Sequence, residues 1–401
     1  MNNTIQPSSD NIYYNIQITN NDTSGRYYQA QYQEEKNVLI VDKPDTYFLT
    51  VNRFSIPANL IPIFFFETDG TGINNGIYTI TLRFQTFHVQ QKLIYVPYDT
   101  SLPVPTTFNP QEKSNYYFVY SYRQVLEYFN TALASALSAL KILVGPPIAS
   151  AEAPYFIYDS ETELISLITQ SSHFNSDLAT PIKIFLNTPS LQLFEEFTGF
   201  FRSSFSTTGE NWEFQIKFDG DNGFAPSGTS ITNPPTYLKS TAEYVNYRTW
   251  SPIRSVVFIT NAIPISSEVQ PNLVQFGDVQ SGGTNYRQIL TDFEPIIQRA
   301  GTERTQLQYY PQGPYRLVDI KTSQPLTKFD ISLYWADRVN YLYPIYITFG
   351  EVLSIKLLFI KKSLYNNELT NYSAPNTLQF KSSFSENVGG RKTYYLDASK
   401  F

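Results

Sequence analysis

The sequence contains no cysteine, two histidines and one methionine among its 401 residues. Without cysteine the chain cannot form disulfides, zinc ribbons or a thiol nucleophile, which fits a reducing compartment. Charged residues are also scarce, at 16% of the sequence. A chain of this length buries about three quarters of the surface that its unfolded form exposes. We therefore expect a folded protein that needs no covalent cross-link.

Long apolar runs are absent as well. No stretch reaches about 18 consecutive apolar residues, so we expect no membrane span. The first ten residues lack a basic region followed by an apolar run, so no signal peptide is expected. The net charge of -6 and the pI near 5.2 argue against a body that grips nucleic acid, because such proteins present a basic face.

Aromatic residues are abundant, with 31 tyrosines, 30 phenylalanines and 3 tryptophans. Tyrosine and phenylalanine favour strands and are enriched at protein–protein interfaces. A chain rich in tyrosine and poor in charge is typical of a β-protein that partners cover. A genome rich in adenine and thymine would raise the same residues, and the two explanations are compatible.

The stretch Tyr47–Phe66 organises our interpretation of the rest. It begins as a strand with a period of two, in which Tyr47, Leu49 and Val51 share one face. Prolines at Pro57 and Pro62 remove backbone donors, so a central strand cannot continue past them. The apolar residues 63–66 are then expected to tuck under the core or into a neighbouring subunit.

Other strands are predicted from alternation on both sides of a middle block. Val352–Ile360 is nearly continuous apolar, which is typical of a strand covered on both faces. The predicted strands are Ile12–Ile18, 37–41, Tyr47–Ser55, Tyr78–Phe84, 93–96, Ser255–Thr260, 288–293, 315–320, 329–335, 342–349 and 352–360.

The middle block, residues 116–238, reads as mixed α/β. Ser121 and Gln124 form a capping-box pattern ahead of a helix of apolar residues at helical spacing, which Gly145 ends. A hairpin over 155–169, strands at 182–186 and 212–218, and a short helix with Thr188 as its N-cap are predicted to follow.

These patterns predict a mainly β chain: a single jelly-roll β-sandwich with an inserted α/β domain and an extended C-terminal arm. The predicted divisions are 1–115 and 239–365 for the two halves of the jelly roll, 116–238 for the insertion domain, and 366–401 for the arm. The arm loses the apolar period and could span on the order of 110 Å when extended, which would let it reach a neighbour.

Two segments resemble phosphate-binding or metal-binding motifs, but their residue spacing does not match those motifs. The loop Gly70–Asn75 lacks the third glycine of a dinucleotide-binding loop and predicts a turn. Asp219 and Asp221 begin like a calcium loop, but the glycine of that motif falls on Phe224, so a plain turn is favoured and an opportunistic cation site is the alternative.

Catalytic constellations are also missing from the pattern. His88 and His173 lie in no metal motif, and a dispersed triad stays open only because its members are spatial neighbours. The adjacent pairs Glu34–Glu35 and Glu195–Glu196 point apart on a strand or helix, so we interpret them as solvated faces. We assign no catalytic, cofactor-binding or metal residue.

Three segments resemble a known family. Ser255–Glu268 and Ile289–Pro295 are similar to the C-terminal signature of the penton (minor capsid) proteins of virophages and Polinton-like viruses, and Arg53–Pro57 resembles the N-terminal signature. The resemblance implies a single jelly roll, homopentamers at the five-fold vertices of an icosahedral capsid, surrounding capsomers of the major capsid protein, and an outward insertion domain. It implies a structural virion protein, assembled in the host cell cytoplasm, with no catalytic residues and no cofactor.

Other functions stay open at this point. A carbohydrate- or receptor-binding β-sandwich would present tyrosine and tryptophan from 116–238 to a host receptor or glycan. A double-jelly-roll major capsid protein is a second alternative, although the chain is short for it. A β-sandwich hydrolase with a dispersed site is the third.

Overall fold

The computed structural model describes most of the chain, but not the two terminal segments. The described residues are 11–24, 28–35, 39–98, 100, 104–105, 115–202, 211–214, 223–224, 236–245, 250–269, 286–294, 306–309, 316–338 and 341–363. Asp219, Asp221 and the predicted arm lie outside them.

Eight principal strands build a two-sheet sandwich. They are β1 (Ile12–Thr19), β2 (Gln31–Glu35), β3 (Tyr47–Pro57), β4 (Ile253–Ile259), β5 (Ile289–Phe293), β6 (Gln306–Tyr309), β7 (Lys328–Asp337) and β8 (Val352–Lys361). The first sheet has the order β1-β8-β3-β6, and the short strand Val318–Asp319 also pairs with β3. The second sheet has the order β5-β4-β7-β2, with Leu342–Pro344 pairing along the other half of β7.

This strand order is that of a jelly roll. All the pairings are antiparallel, and chain-adjacent strands alternate between the sheets in two Greek keys, except that β4 and β5 pair with each other in one sheet. The connections β1–β2, β3–β4, β5–β6 and β7–β8 lie at one end, which we call the insertion end. Ile12 and Lys361 lie at the opposite end, which we call the termini end. The jelly-roll prediction is confirmed.

Alternating side chains create the sandwich core. In β1 the residues Ile16 and Ile18 are buried while Asn15 and Gln17 are exposed, as a half-buried strand requires. Inner-face aromatics interlock between the sheets: the ring of Phe54 lies 5.2 Å from that of Phe258 and 4.9 Å from that of Phe293. Because β8 lies between β1 and β3, its apolar run is largely buried, as predicted.

The long connection from β3 to β4 forms the rest of the structure. Its helices are α1 (Tyr122–Val144), α2 (Ser171–Phe174) and α3 (Thr188–Gln192). One sheet contains, in spatial order, Gly199–Arg202, Asn211–Phe214, Ile182–Leu186, Asn75–Phe84 and Phe87–Ile94. A second sheet contains Gly223–Phe224, Tyr237–Thr241, Ile165–Gln170 and Tyr155–Tyr158.

Short elements complete the described chain. Two-residue strands pair as Tyr28–Gln29 with Tyr346–Ile347, Phe64–Phe65 with Phe118–Val119, and Glu268–Val269 with Tyr286–Arg287. Single 3-10 turns are Pro44–Thr46, Ala58–Leu60, Asn115–Tyr117 and Pro146–Ile148. Among the described helices, none combines the length and apolar character that crossing a membrane requires.

Helix α1 organises the core of the insertion. Its apolar face packs against the sheet that holds Asn75–Phe84 and against strand Tyr155–Tyr158. Phe129 meets Phe194 edge-on at 4.8 Å between ring centroids, and Phe156 stacks on Phe194 at 4.4 Å. These buried aromatics explain how a chain poor in charge fills a second core.

Aromatic side chains at residues 64–66 join the two cores, whereas the sequence predicted only that residues 63–66 tuck under the core or into a neighbouring subunit. Phe64 and Phe66 are buried in the insertion core, whereas Phe65 packs against both cores. Opposite them, Phe118 is buried in the sandwich core although its neighbours in sequence belong to the insertion. The segments around Phe65 and Phe118 therefore pack against each other at the boundary between the two cores.

The division of the chain at residue 116 stays a prediction. Packing places the strands Asn75–Phe84 and Phe87–Ile94 in the same core as α1, and not in the sandwich core. The sandwich core draws its residues from 16–61 and 253–359, with Phe118 added. We therefore propose residues 63–250 as the inserted unit.

Two predicted helix caps need correction. The Ser121 side chain makes no cap hydrogen bond, and the Gln124 side chain turns away from the cap to donate to the Val96 carbonyl at 3.0 Å and to the Tyr128 hydroxyl at 2.9 Å. Helix α3 is capped by Asn187 instead of Thr188: its side-chain oxygen accepts from the Ser190 N–H at 3.2 Å. The same amide bonds the backbone of Thr79 and so fixes α3 to the sheet.

Gly76 tests how closely the insertion core is packed. A Cβ at this position would lie 2.6 Å from Phe66 Cζ and 3.1 Å from the Leu93 carbonyl oxygen. We expect Gly76→Ala to lower the free energy of unfolding by about 1–3 kcal/mol, because the buried ring cannot move away. Chemical denaturation measures the loss. Gly72→Ala meets only the movable Asn75 side chain, so an equal effect there would contradict this reason.

Candidate assembly surface

The described residues place the two histidines on separate elements of the insertion. His88 is exposed on strand Phe87–Ile94, opposite Arg83 in the register. His173 on α2 has Ser172 Oγ 2.9 Å from Nδ1 and Ser150 Oγ 3.4 Å from Nε2. A serine triad needs a carboxylate at the second nitrogen, and here that nitrogen meets a hydroxyl. Burial, helped by Lys141, lowers the pKa of His173.

The paired carboxylates also stay apart. Glu34 and Glu35 occupy successive positions of β2 and therefore point to opposite faces. Glu195 is exposed, but Glu196 is only 4% exposed, which corrects the interpretation of this pair as a solvated face. The cause is local: the turn after α3 carries Phe194 into the insertion core and takes Glu196 with it.

The loop Gly70–Asn75 is a turn, as predicted. Asp69 accepts hydrogen bonds from the Thr71 N–H at 2.8 Å and its hydroxyl at 2.6 Å, and it pairs with Lys92. Although burial opposes ionisation, these bonds lower the pKa of Asp69 to about 2. Within the described residues, no group of three or more His, Asp or Glu side chains is placed to hold a metal ion.

Many aromatic residues that the sequence offered as interface candidates lie inside the molecule. Tyr95 is fully enclosed by the rings of Phe66, Tyr117 and Tyr128, at 5.3, 5.4 and 5.8 Å. Its hydroxyl donates to the Tyr116 carbonyl, so this buried polar group is satisfied. The excess of tyrosine is therefore partly a feature of the core.

Burial of these phenols predicts a sharp alkaline limit to stability. Burial raises the pKa of Tyr78, Tyr95 and Tyr128 well above the ordinary value and that of Tyr117 to about 12. In the unfolded chain they ionise near pH 10, so above that pH the native state holds protons that the unfolded state has lost. Stability should be complete below about pH 10 and fall as the pH rises further.

Circular dichroism and tyrosinate absorbance check this pH dependence together. We expect part of the tyrosinate signal to appear only in the transition in which the fold is lost, because the buried phenols ionise on unfolding. A fold that survives while every tyrosine titrates near pH 10 would contradict the burial argument.

Exposed apolar side chains gather at the two edges of the larger insertion sheet. The first-edge patch comprises Ile94, Val96 and Tyr98, at and just after the end of strand Phe87–Ile94, and Tyr98 is 71% exposed; Phe87 is exposed at the other end of that strand. The second-edge patch comprises Phe200 and Phe201, on the strand at the opposite edge. An edge strand combined with exposed aromatics is typical of a surface that another chain covers.

The insertion end of the sandwich carries a further exposed group. Tyr28 belongs to the short pairing of Tyr28–Gln29 with Tyr346–Ile347, and Phe349 lies just after it. Tyr341 lies in the β7–β8 connection and Val352 is the first residue of β8. Asn20 fixes this region by donating to the Ile347 carbonyl at 2.9 Å. The exposed rings therefore stand on an ordered support, as an interface requires.

Comparison with known proteins decides the family. The family model described as Sputnik minor capsid protein V18/19 matches residues 12–361, which is most of the chain and includes the insertion. The chain belongs to the Sputnik minor capsid protein V18/19 family. The resemblance seen in the sequence is thereby confirmed, and with it a structural role as a minor component of the virion capsid.

Two proteins of the Sputnik virophage are similar to this family member in sequence. Structural protein V19 is 32% identical over 209 residues, which cover 52% of this chain and 94% of that protein. Uncharacterized protein V18 is 32% identical over 159 residues, which cover 37% of this chain and 91% of that protein.

Two solved structures share the fold of this family member. A chain in the cryo-EM structure of the Sputnik virophage has a TM-score of 0.76 and 31% identity, and the match covers 89% of this chain and 99% of that one. The mavirus penton protein has a TM-score of 0.58 and 15% identity, with 88% and 99% covered, and at that identity it supports the fold alone.

Of the strand beside the first-edge patch, the sequence predicted only 93–96, whereas in the structure the strand begins at Phe87. Alternation identified Asn75–Phe84, but the glutamines and the lysine of Phe87–Ile94 hid its continuation after the turn at Gln85. A signal was present, because Phe87, Val89 and Leu93 lie at even spacing across the turn from Phe84 and Leu82.

Proposed function

We propose that this minor capsid protein is a penton subunit, which forms homopentamers at the five-fold vertices of an icosahedral capsid and contacts surrounding capsomers of the major capsid protein. The observation that carries the proposal is the family match over residues 12–361 on a chain whose sandwich is a single jelly roll. Assembly in the host cell cytoplasm belongs to the same proposal.

A ring of five requires two different surfaces on each copy, because each copy meets its neighbours through unlike faces. The first-edge and second-edge patches lie on opposite edges of one sheet and are different from each other. A standard interface buries about 800 Å² per partner. A few tyrosine and phenylalanine side chains at about 150–250 Å² each supply much of that area.

Light scattering during size-exclusion chromatography tests the proposal. The expected species has about five times the 46.0 kDa mass of the chain. The variant Tyr98→Ser, which changes an exposed side chain of the first-edge patch, should shift the distribution toward monomer without changing the melting temperature. A stable monomer at all concentrations, or an interface dominated by lysine–glutamate pairs, would contradict the proposal.

The proposal includes a purely structural role, without enzymatic activity. A structural capsid family supports it, and both ring nitrogens of His173 face serine hydroxyls. Hydrolase screens of the purified chain should stay at background. Turnover that is lost in His173→Ala and kept in His88→Ala would overturn this part.

Receptor or glycan binding by the insertion domain is the second candidate function. The ring of Phe201 lies 5.2 Å from that of Trp212, beside the exposed edge, and such ring pairs suit the apolar faces of sugars. A glycan array probed with the full chain and with Phe201→Ala tests it. Equal signals from the two proteins would contradict a glycan site at this edge.

A further inference from the structure

Strand β1 is an open edge without the usual protection. Within the described residues it pairs only with β8, and it holds that register without a bulge from Ile12 to Thr19. None of its eight residues is charged and none is proline. Long, regular, uncharged edges are templates for further strands, so natural proteins cover or interrupt them.

The other edge strands of the described sheets are charged, irregular or short; β6, at the opposite edge of the same sheet, has four residues. Strand β2 ends in Glu34 and Glu35, β5 contains Asp292 next to an irregular register, and Phe87–Ile94 carries Lys92. The edge strands of the smaller insertion sheet have four residues or fewer. The contrast indicates that β1 is kept open for a partner strand.

The outward face of β1 suits an added strand. Tyr13, Asn15 and Gln17 are exposed, and Lys356 of β8 lies over the Tyr13 ring at 4.6 Å from its centroid. Addition of a strand forms backbone hydrogen bonds along the edge and takes its specificity from alternate side chains. A strand of about eight residues would match the length of β1.

The chain leaves the sandwich at the end of β8, next to the start of β1, where the Lys361 N–H donates to the Asn11 side-chain oxygen at 3.3 Å. The Lys362 side chain pairs with Asp319 and lies 5.2 Å from the centroid of the Phe48 ring, so it points toward β3 and Val318–Asp319. The residues that follow Ser363 number 38. Fully extended, they would span on the order of 125 Å, far more than the width of one sheet.

We propose that part of residues 364–401 of one copy adds as a strand to the edge of β1 in the next copy of the ring. The Lys362 side chain turns toward β3, whereas the open edge of β1 lies on the other side of β8, and the segment is long enough to reach the next copy in a ring of unlike contacts. This inference rests on the proposed pentamer and names one of its contacts.

Mixed cross-linking of two single-cysteine variants tests the contact. Because the natural chain has no cysteine, a disulfide can form only between introduced residues. Asn15→Cys on β1 is mixed with a size-tagged chain that carries Ser373→Cys, Ser382→Cys or Ser399→Cys in the C-terminal segment. We expect a reducible link between tagged and untagged chains at one of these positions, well above the level that Ser138→Cys on exposed α1 gives.

Truncation after Ser363 provides the second measurement. We expect the melting temperature to stay unchanged and the dissociation constant of the ring to rise at least about tenfold. Asn15→Lys, which places a charge on the open edge, should act in the same direction on the full chain. Truncation that unfolds the monomer would overturn the inference, because the segment would then belong to its own fold.

The outcomes separate this inference from the proposed function. A pentamer of the natural chain with no mixed link at any position contradicts the strand addition and leaves the penton proposal standing. A link that forms only within one chain, in the variant with both cysteines, shows that the segment covers its own β1 and also overturns the inference. A natural chain that is always monomeric overturns both.

Discussion

Replacing Phe118 by alanine is expected to lower the free energy of unfolding of the sandwich by about 4 kcal/mol. Its buried ring packs edge-on against Trp335 at 5.2 Å and Tyr343 at 5.8 Å, and it meets Phe65 at 5.3 Å. Removing the ring leaves a cavity at the point where the insertion is fastened to the sandwich. Chemical denaturation followed by tryptophan fluorescence measures the loss.

Hydrogen exchange shows which core the Phe118 side chain supports. Protection should fall in β7 and β8 and be retained in α1, because the ring belongs to the sandwich core. Phe118→Leu keeps most of the volume and should cost less than half as much. An equal loss of protection in α1, or no loss in β8, would contradict the assignment of this residue.

Replacing Asp330 by asparagine is expected to destabilise the chain by about 3 kcal/mol, the second large effect. From β7 its carboxylate accepts hydrogen bonds from the Thr260 hydroxyl at 2.8 Å, the Asn261 N–H at 2.9 Å and the Ala262 N–H at 2.7 Å. These bonds hold the turn after β4 that carries the buried Ile263 into the core. In asparagine the remaining oxygen carries no charge, and an NH2 donor replaces Oδ2, which accepts from the Asn261 N–H at 3.1 Å and from Asn261 Nδ2 at 3.2 Å.

Asp42→Asn, at an exposed carboxylate, is the matched control, and it should change the melting temperature little. Exchange at Asn261 and Ala262 should speed up in Asp330→Asn before the rest of the sandwich opens. If Asp330→Asn were as stable as the natural chain, the turn would be held by its own backbone and not by the carboxylate.

Strands with strict alternation could be predicted from the sequence, and the sandwich followed from them. Tyr47–Ser55 and 329–335 agree with β3 and β7 because one buried face imposes a period of two. The hairpin over 155–169 and the helix that ends at Gly145 were found for similar local reasons. Gly145 adopts a φ of 78°, which glycine tolerates.

Alternation along the sequence does not show which strands far apart in the chain pair with each other. The alternation of Asn75–Phe84 says that the strand is half buried, but not that its partner is Ile182–Leu186, about a hundred residues later. Sequence reasoning therefore places Asn75–Phe84 in the first half of the jelly roll, residues 1–115. The cap at Asn187 was missed for a related reason, since its amide also serves the backbone of Thr79 on a distant strand.

The sequence predicted that the candidate surface would be aromatic, but not which aromatic residues would form it. Composition indicated aromatics that partners cover, yet only the fold separates Tyr95, which is enclosed, from Tyr98, which is exposed three residues later. The residues of the C-terminal segment carry no strand pattern of their own. Their proposed partner strand, β1, became visible only when the edges of the sheets could be compared.

The two points at which the insertion joins the sandwich lie side by side. Phe64 follows the first junction, Trp250 precedes the second, and their rings are 6.1 Å apart. A segment whose ends meet in this way can be exchanged for another of different length without moving the strands that flank it. In a minor capsid protein built on this scaffold, evolution or an engineer can therefore replace the insertion with another module while the jelly roll keeps its geometry.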